Sequence, residues 1–286
     1  MRQSLSQIAS RLRQPALILP ALGLALLLLA LLLRAAAAQE PALRALTTGD
    51  DTRGWEAVGR IDLGGRGFCT GALIAPDLVL TAAHCLYDKT NGQRFEASDM
   101  EFLAGWRQGR AAAYRSVRRA VAHPDYIYQT DADLGRVGHD LALLELEQPI
   151  RLPSIQPYAT DLQPRRGDEV GVVSYAMDRA EAPSLQETCE VLDRQGEVLV
   201  LGCEVDFGAS GAPIFSIRDG VARIVSVVSA KAEVEGRPVA LGTALAGPLT
   251  QLRALMTGAV LPVSGQVYRR GAGEAGVSGG AKFVRP

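Results

Sequence analysis

The sequence predicts an all-β protein, and the arrangement of its short apolar segments is the reason. From Trp55 to Ala244, runs rich in valine, leucine and isoleucine alternate with clusters of glycine, proline and aspartate. Short runs at this density predict a barrel or a sandwich. Hydrophobic residues make up 48% of the 286 residues, which allows a substantial core and argues against wholesale disorder.

The predicted strands form two groups. The first lies in residues 54–147 and comprises Glu56–Leu63, Phe68–Ile74, Leu78–Thr81, Phe102–Trp106, Ser116–Ala122 and Leu141–Glu147. The second lies in residues 168–257 and comprises Glu169–Tyr175, Glu187–Leu192, Val198–Leu201, Pro213–Ile217, Ala222–Ser229 and Val239–Ala244. Within the second group, Gln195-Gly196 and Asp219-Gly220 have the composition of tight hairpin turns.

The segments around these groups have other compositions. Residues 148–167 contain four prolines, which remove ladder donors, so we predict a linker there. Leucines at helical spacing between Pro248 and Gly258 predict a short C-terminal helix at the end of the second group. Residues 39–53 are predicted to be a polar lead-in, and the glycine-rich residues 258–286 a flexible tail.

Residues 1–38 have the composition of a secretory signal peptide. Arg2, Arg11 and Arg13 precede an unbroken apolar run at 15–33, and small residues follow, with cleavage expected after Ala38. The 19-residue run is close to the roughly 20 residues that span a bilayer, so an uncleaved membrane anchor is the alternative. In either case we expect the rest of the chain outside the cytoplasm, secreted or periplasmic, or anchored and facing outwards.

Four cysteines follow the N-terminal segment, at positions 69, 85, 189 and 203. An even number outside the cytoplasm predicts disulfide bonds, and four cysteines allow three pairings. Separations of 16 and 14 residues favour Cys69–Cys85 and Cys189–Cys203. The spacing lacks a close C-x-x-C pair, so a zinc site is disfavoured and we expect neither metal nor cofactor. The net charge of −1 and the lack of a large basic block argue against a nucleic-acid partner.

Three residues carry the chemistry that the sequence predicts. The chain has three histidines, and His84 follows an apolar strand directly before Cys85. Asp140 begins another apolar strand, where a buried carboxylate can orient an imidazole. Ser210 follows Gly208 by two residues, and glycine there allows the N–H groups of Gly208 and Ser210 to converge on a developing oxyanion.

These residues stand in motifs that resemble those of the trypsin-like serine peptidases, in particular their bacterial secreted branch. The matching segments are Cys69-Thr70-Gly71-Ala72-Leu73-Ile74 with Thr81-Ala82-Ala83-His84-Cys85, then His139-Asp140-Leu141-Ala142-Leu143-Leu144, and Gly208-Ala209-Ser210-Gly211-Ala212-Pro213. Their order is that of the family, and the resemblance covers about residues 54–257. It implies two antiparallel six-stranded β-barrels with a short C-terminal helix, and a catalytic site between the barrels.

The resemblance also implies roles for individual residues. His84, Asp140 and Ser210 match the catalytic triad, and Cys69–Cys85 matches the disulfide that flanks the histidine. Ser226 matches the serine that hydrogen-bonds the triad aspartate. Val227 and Val228 match the strand along which a substrate backbone lies.

The chain departs from the animal enzymes at two places. Ala209 stands where they have the aspartate that receives the new N-terminus after zymogen cleavage, so this chain is more similar to bacterial relatives that include glutamyl endopeptidases. Cys203 lies seven residues before Ser210, so the second disulfide differs from that of trypsin. Glu204 and Asp206 lie where the specificity pocket is expected and could select a basic P1 side chain, although surface solvation also explains them.

The predicted function is that of a secreted, monomeric serine endopeptidase that hydrolyses protein or peptide substrates through an acyl-enzyme. Membrane contact is expected only if the N-terminal apolar run stays uncleaved. The alternatives are a catalytically silent double-barrel binding module and a protease held latent by its lead-in or anchor. His123 and His139 are predicted to be structural.

Overall fold

The computed structural model describes residues 43–129, 133–160, 163–258 and 282–283, and these belong to one unit that spans Pro41–Pro286. The predicted signal peptide at 1–38 lies outside the described residues, as does most of the predicted tail. Among the helices of the described residues, none is long and apolar enough to span a membrane.

The first barrel is closed by six antiparallel strands. The chain enters through β1 (Arg44–Ala45), which belongs to the second sheet, and then forms the strands of the barrel. These are β2 (Val58–Leu63), β3 (Phe68–Ala75), β4 (Leu78–Thr81), β5 (Met100–Ala104), β6 (Ala113–Ala122) and β7 (Ala142–Leu146). They are ordered β2-β3-β4-β7-β6-β5, and β5 pairs with β2 to close the ring.

The second sheet also closes on itself. Its main strands are β8 (Glu169–Ala176), β9 (Arg179–Gln195), β10 (Val198–Leu201), β11 (Pro213–Arg218), β12 (Val221–Val234) and β13 (Arg237–Ala244). The path runs β9-β10-β13-β12-β11-β8, and β8 pairs with β9 to return to its start. Two short strands add to its edges, β1 on β9 and β14 (Lys282–Phe283) on β12. The predicted all-β fold with two six-stranded barrels is confirmed.

The interiors of both barrels are filled by the apolar residues that alternate along the strands. Phe102, Leu73 and Leu143 are fully buried in the first barrel, and Ile214 and Leu199 in the second. Side chains of a strand point alternately to its two faces, so a ring of such strands buries one face of each. The apolar periodicity therefore fills both barrels, and the largest cluster of buried apolar residues joins the first barrel to residues of the second such as Phe215.

Each predicted strand overlaps an observed one, but β9 and β12 are much longer than predicted. The missed parts contain charged residues and Pro183, which interrupt the apolar pattern without ending the ladder. The Asp219-Gly220 turn is confirmed, because Asp219 has φ 53° and Gly220 has φ 74°, the left-handed values that a tight hairpin of this type requires.

Two α-helices and two 3₁₀ turns, Ala83–Leu86 and Ala97–Asp99, complete the described fold. The first, α1 (Leu134–Gly138), is capped by Asp133, whose Oδ1 accepts the Arg136 N–H at 2.6 Å. Its five residues are too few to show a helical period, so the sequence did not predict it. The second, α2 (Ala246–Thr257), is the predicted C-terminal helix. It ends at Gly258 in the left-handed region, and Arg119 of β6 donates to the Met256 carbonyl at 2.6 Å.

Candidate functional site

His84 lies in a 3₁₀ turn directly after β4, where its imidazole is held on two sides. The turn spans Ala83–Leu86, and its neighbour Cys85 is bonded to Cys69 of β3. The His84 N–H donates to Oδ1 of Asp140 at 2.8 Å, and the Nδ1 atom lies 2.7 Å from Oδ2. Because Nδ1 donates its N–H to the carboxylate, the lone pair of the neutral ring is on Nε2.

Asp140 is the buried partner of this pair, at 1% exposure, between α1 and β7. Burial alone raises the pKa of its carboxyl. The charge and hydrogen bonds of His84 and a hydrogen bond from the Ser229 hydroxyl outweigh that effect, so the pKa lies below its ordinary value. Asp140 is therefore a carboxylate at neutral pH. Thr243 of the second barrel fixes the adjoining backbone, since its Oγ1 donates to the Val137 carbonyl at 2.6 Å.

The serine that hydrogen-bonds Asp140 is Ser229, and the prediction of Ser226 was wrong. Ser226 is fully buried inside the second sheet and donates to the Thr243 carbonyl at 2.9 Å. The reason is a β-bulge: Val228 pairs with Gly242 and Ala230 with Leu241, so Ser229 is the extra residue between them. A bulge turns a side chain away from the pleat, and the sequence pattern does not show it.

The same bulge corrects the predicted substrate strand. Val227 is fully buried and pairs with Pro213 on one side and Thr243 on the other. The Val228 N–H donates to the Ala212 carbonyl, and its own carbonyl accepts from Gly211, so its backbone is occupied within the protein. A substrate backbone cannot pair with either valine.

Ser210 lies between β10 and β11 in a segment that is tied to the first barrel through Thr70. The Thr70 N–H donates to the Ser210 carbonyl at 2.8 Å, and the Thr70 hydroxyl donates to the Gly208 carbonyl at 2.9 Å. The same hydroxyl accepts the N–H of Tyr175 in β8 at 3.1 Å. Thr70 is fully buried, so it joins the first barrel to two parts of the second without solvent competition.

Gly211 allows this segment to approach the residues that lead to His84. Its φ is +77°, and an added Cβ would lie 2.1 Å from Thr81 Oγ1 and 2.4 Å from the Thr70 carbonyl oxygen. The Gly211 N–H donates to the Val228 carbonyl, next to Ser229. The serine segment therefore packs between the two stretches of chain that hold His84 and Asp140.

The backbone around Ser210 leaves two N–H groups unused. The N–H groups of Ala209, Gly211 and Ala212 all donate to carbonyls of the protein. Within the described part of the chain, those of Gly208 and Ser210 donate to no acceptor, and the Ser210 hydroxyl makes no hydrogen bond. These two N–H groups are therefore free to donate to an acceptor that is not part of the described chain.

The acidic residues proposed for the specificity pocket face cations. Asp206 Oδ1 accepts from Lys231 Nζ at 3.0 Å, and this bond is the main reason that the pKa of Asp206 is lowered. Glu204 is exposed. Burial lowers the pKa of Arg179, and the negative charges of Asp206 and Glu204 raise it again in part. The carboxylates of this region are therefore balanced by Lys231 and Arg179.

The four cysteines form two disulfides, Cys69–Cys85 and Cys189–Cys203. Cys69 and Cys85 lie close to His84, but their sulfurs are bonded to each other and offer no thiolate to a metal. The other two histidines pack against each other: His123 is buried, and its ring centroid lies 5.0 Å from that of His139. Burial is the main cause of the lowered pKa of His123.

Comparison with known proteins gives a consistent result. The family model described as Trypsin matches residues 48–241. Serine protease 23 of Bos taurus is 29% identical over 51% of this chain and 43% of its own length. The glutamyl endopeptidase of Bacillus licheniformis is 25% identical over 52% of this chain and 45% of its own length. The chain thus spans less than half the length of these relatives.

A solved structure of a Glu endopeptidase in complex with MPD superposes on 75% of this chain and 97% of its own, with a TM-score of 0.61 and 18% identity. Because the identity is low, this similarity supports the fold alone. It agrees with the two closed barrels and the helix described above.

Proposed function

Because this chain belongs to the trypsin family of serine peptidases, we propose that it is a serine endopeptidase in which His84, Asp140 and Ser210 form the catalytic triad. The observation that carries the proposal is the buried His84–Asp140 pair, with Nδ1 and Oδ2 2.7 Å apart. The segment of Ser210 packs beside it through Gly211 and Thr70.

The proposed reaction begins with attack of the Ser210 hydroxyl on a peptide carbonyl. His84 accepts the serine proton at Nε2, since Nδ1 faces Asp140, and the carboxylate stabilises the imidazolium that results. His84 then gives this proton to the leaving amine, and Ser210 remains acylated. A water molecule, deprotonated by His84, releases the acyl group and restores the serine.

The oxyanion of each tetrahedral intermediate is proposed to accept hydrogen bonds from the N–H groups of Gly208 and Ser210. Neither donates to another group of the described chain, so no protein bond has to be broken when the charge develops. Ala209, which replaces the aspartate of the animal enzymes, is buried and apolar. The hydrogen bond from Thr70 to the Gly208 carbonyl holds this segment in place.

We further propose that the enzyme acts outside the cytoplasm on protein or peptide substrates. Two disulfides in a chain of this size support an oxidising compartment, and the composition of residues 1–38 supports export.

The test is covalent labelling of the purified full-length chain with a fluorophosphonate, followed by mass spectrometry of its peptides. We expect a single label on Ser210 of the wild-type protein and none on the Ser210→Ala variant, whose peptidase turnover falls by several orders of magnitude. Ser154→Ala, an exposed serine far along the chain, is the matched control and keeps the label.

Failure of the folded wild-type protein to react would contradict the proposed activity of the chain as it stands. Limited proteolysis then separates the two alternatives. Labelling that follows cleavage of the residues before Trp55 identifies a latent protease, and continued silence identifies a binding module.

A further inference from the structure

A second cluster of side chains that could bind a ligand lies outside the proposed triad. It consists of His123, directly after β6, with Asp125 and His139, and we call it the two-histidine cluster. One ligand atom of each residue lies within 4.8 Å of those of the other two. The proposed peptidase reaction uses none of the three side chains.

The backbone holds the two histidines firmly. The His123 N–H donates to the Leu141 carbonyl at 2.9 Å, and the His139 carbonyl accepts the Leu141 N–H at 2.8 Å. Both histidines are thus fixed to the same residue at the start of β7. Their separation does not depend on a flexible loop, and the described strands determine it.

Each imidazole has one nitrogen that holds a lone pair, and on His123 this lone pair accepts a backbone hydrogen bond that a cation would replace. Nδ1 of His139 faces the Gly135 carbonyl at 3.0 Å, so it carries the proton and Nε2 carries the lone pair. Nδ1 of His123 accepts the Asp125 N–H at 3.3 Å, so there the lone pair is on Nδ1. In metal sites, the ring nitrogen that does not bind the metal commonly donates its N–H to a carbonyl or a carboxylate, as Nδ1 of His139 does here.

The other nitrogen of His123 is enclosed by the protein. Nε2 carries the proton because Nδ1 accepts from Asp125, and the whole residue is only 2% exposed. Nε2 makes no hydrogen bond of good geometry among the described residues, but the Gln251 side chain of α2 raises the pKa of His123 through hydrogen bonding, against the larger lowering by burial. Nδ1 is therefore the nitrogen of His123 that a ligand would use.

The spacing suits a single cation. Ring centroids 5.0 Å apart leave room for one ion at about 2.0–2.1 Å from a nitrogen of each ring, but the rings are stacked with 30° between their planes, so binding requires at least one of them to rotate. Asp125 Oδ2 lies 4.0 Å from His123 Nδ1, and its side chain is 64% exposed, so it can rotate to complete the site.

We propose that His123, Asp125 and His139 bind one first-row divalent cation of the Zn²⁺ type, with water as a further ligand. Two imidazoles and one carboxylate are a donor set that such cations prefer over Mg²⁺ or Ca²⁺, which take oxygen ligands. The ion links the end of β6 to the residue before Asp140. It therefore stabilises the entry to β7 and the segment that carries Asp140.

The test uses the full-length Ser210→Ala variant, which avoids self-cleavage, after treatment with a chelator and removal of that chelator. Titration with Zn²⁺ in a calorimeter is expected to show one bound ion per chain. Free Zn²⁺ at a hundredfold excess over its dissociation constant should raise Tm by roughly 5–10 °C. Co²⁺ should give the visible absorption of a tetrahedral nitrogen and oxygen site.

Variants assign the ion to its ligands. In the same background, Asp125→Asn, on an exposed side chain, and His139→Ala should weaken binding by more than the roughly 10- to 100-fold that loss of an outer-shell partner costs. His84→Ala is the matched control and should leave binding unchanged. Absence of binding, or binding that only His84→Ala removes, would overturn the proposal. All of these readouts are independent of peptidase activity.

Discussion

The two barrels have the same number of strands, but the first holds a buried and hydrogen-bonded pair of side chains, and the second holds a serine without such bonds. The first barrel provides His84 and Asp140, which are 8% and 1% exposed and bonded to each other. The second provides Ser210, whose hydroxyl and N–H are unbonded within the described residues. The first barrel therefore encloses its hydrogen-bonded ion pair, whereas the second leaves the donors around Ser210 free of protein partners.

Buried hydrogen bonds link the proposed site residues of the two barrels. Ser229 of β12 donates to Asp140, and Thr70 of β3 donates to the Ser210 segment. The second barrel thus donates a hydrogen bond to Asp140 of the first, and the first barrel donates hydrogen bonds to the Ser210 segment of the second. Changes at the enclosed pair, at the disulfides and at these links should affect activity and stability in different proportions.

The largest effect is expected for the enclosed pair itself. Asp140→Asn keeps the size of the side chain but removes the charge that stabilises the imidazolium and fixes the tautomer of His84. We expect kcat to fall about 10⁴-fold with KM little changed, measured on a peptide substrate. The far-ultraviolet circular dichroism should stay that of the wild type. A fall in kcat of less than tenfold would show that Asp140 does not orient His84.

The next largest effect compares the two disulfides. Each closes a loop of similar length, with separations of 16 and 14 residues, so removal of either by Cys→Ala double substitution should cost about 3 kcal/mol in the free energy of unfolding. Urea unfolding of the two variants measures this.

Activity should separate the two disulfide variants even though their stabilities are similar. Cys85 adjoins His84, so loss of Cys69–Cys85 lets the imidazole shift and should lower kcat by about tenfold or more under conditions where the protein is folded. Loss of Cys189–Cys203, within the second barrel, should leave kcat within a few-fold of the wild type. Equal losses of kcat in both variants would mean that Cys69–Cys85 does not position His84.

The sequence predicted the strands and the three motif residues better than the hydrogen bonds that connect the two barrels. His84, Asp140 and Ser210 stand in local motifs, and the strands around them have alternating apolar residues, so both could be found from the pattern. Ser229 could not, because it depends on a bulge in β12 that shifts the pairing with β13 by one residue. Ser226 and Ser229 lie in similar apolar surroundings, so nothing local distinguishes them.

Thr70 was quoted within the histidine motif, but its role could not be deduced either. Its N–H and hydroxyl bond to Gly208, Ser210 and Tyr175, which lie more than a hundred residues further along the chain. The two-histidine cluster has the same origin, since the pairing of β6 with β7 and the bonds of both histidines to Leu141 bring His123 and His139 together. Contacts between elements are set by the closure of the barrels, which a local pattern does not contain.

The smallest expected effect tests this connection through Thr70→Val, which keeps the shape but removes the hydroxyl. The Gly208 carbonyl loses its donor and the Tyr175 N–H its acceptor, both buried, so we expect a loss of about 1–3 kcal/mol in the free energy of unfolding. Because Gly208 adjoins the proposed oxyanion pocket, kcat should fall as well, by about tenfold.

Ser226→Ala is the matched control for Thr70→Val. It removes one buried hydrogen bond, to the Thr243 carbonyl, that lies entirely within the second barrel. This variant should lose a similar amount of stability in urea unfolding while its kcat stays at the wild-type value. If Thr70→Val also kept full kcat, the bond between the barrels would contribute only to stability, and the position of Gly208 would be determined by the second barrel alone.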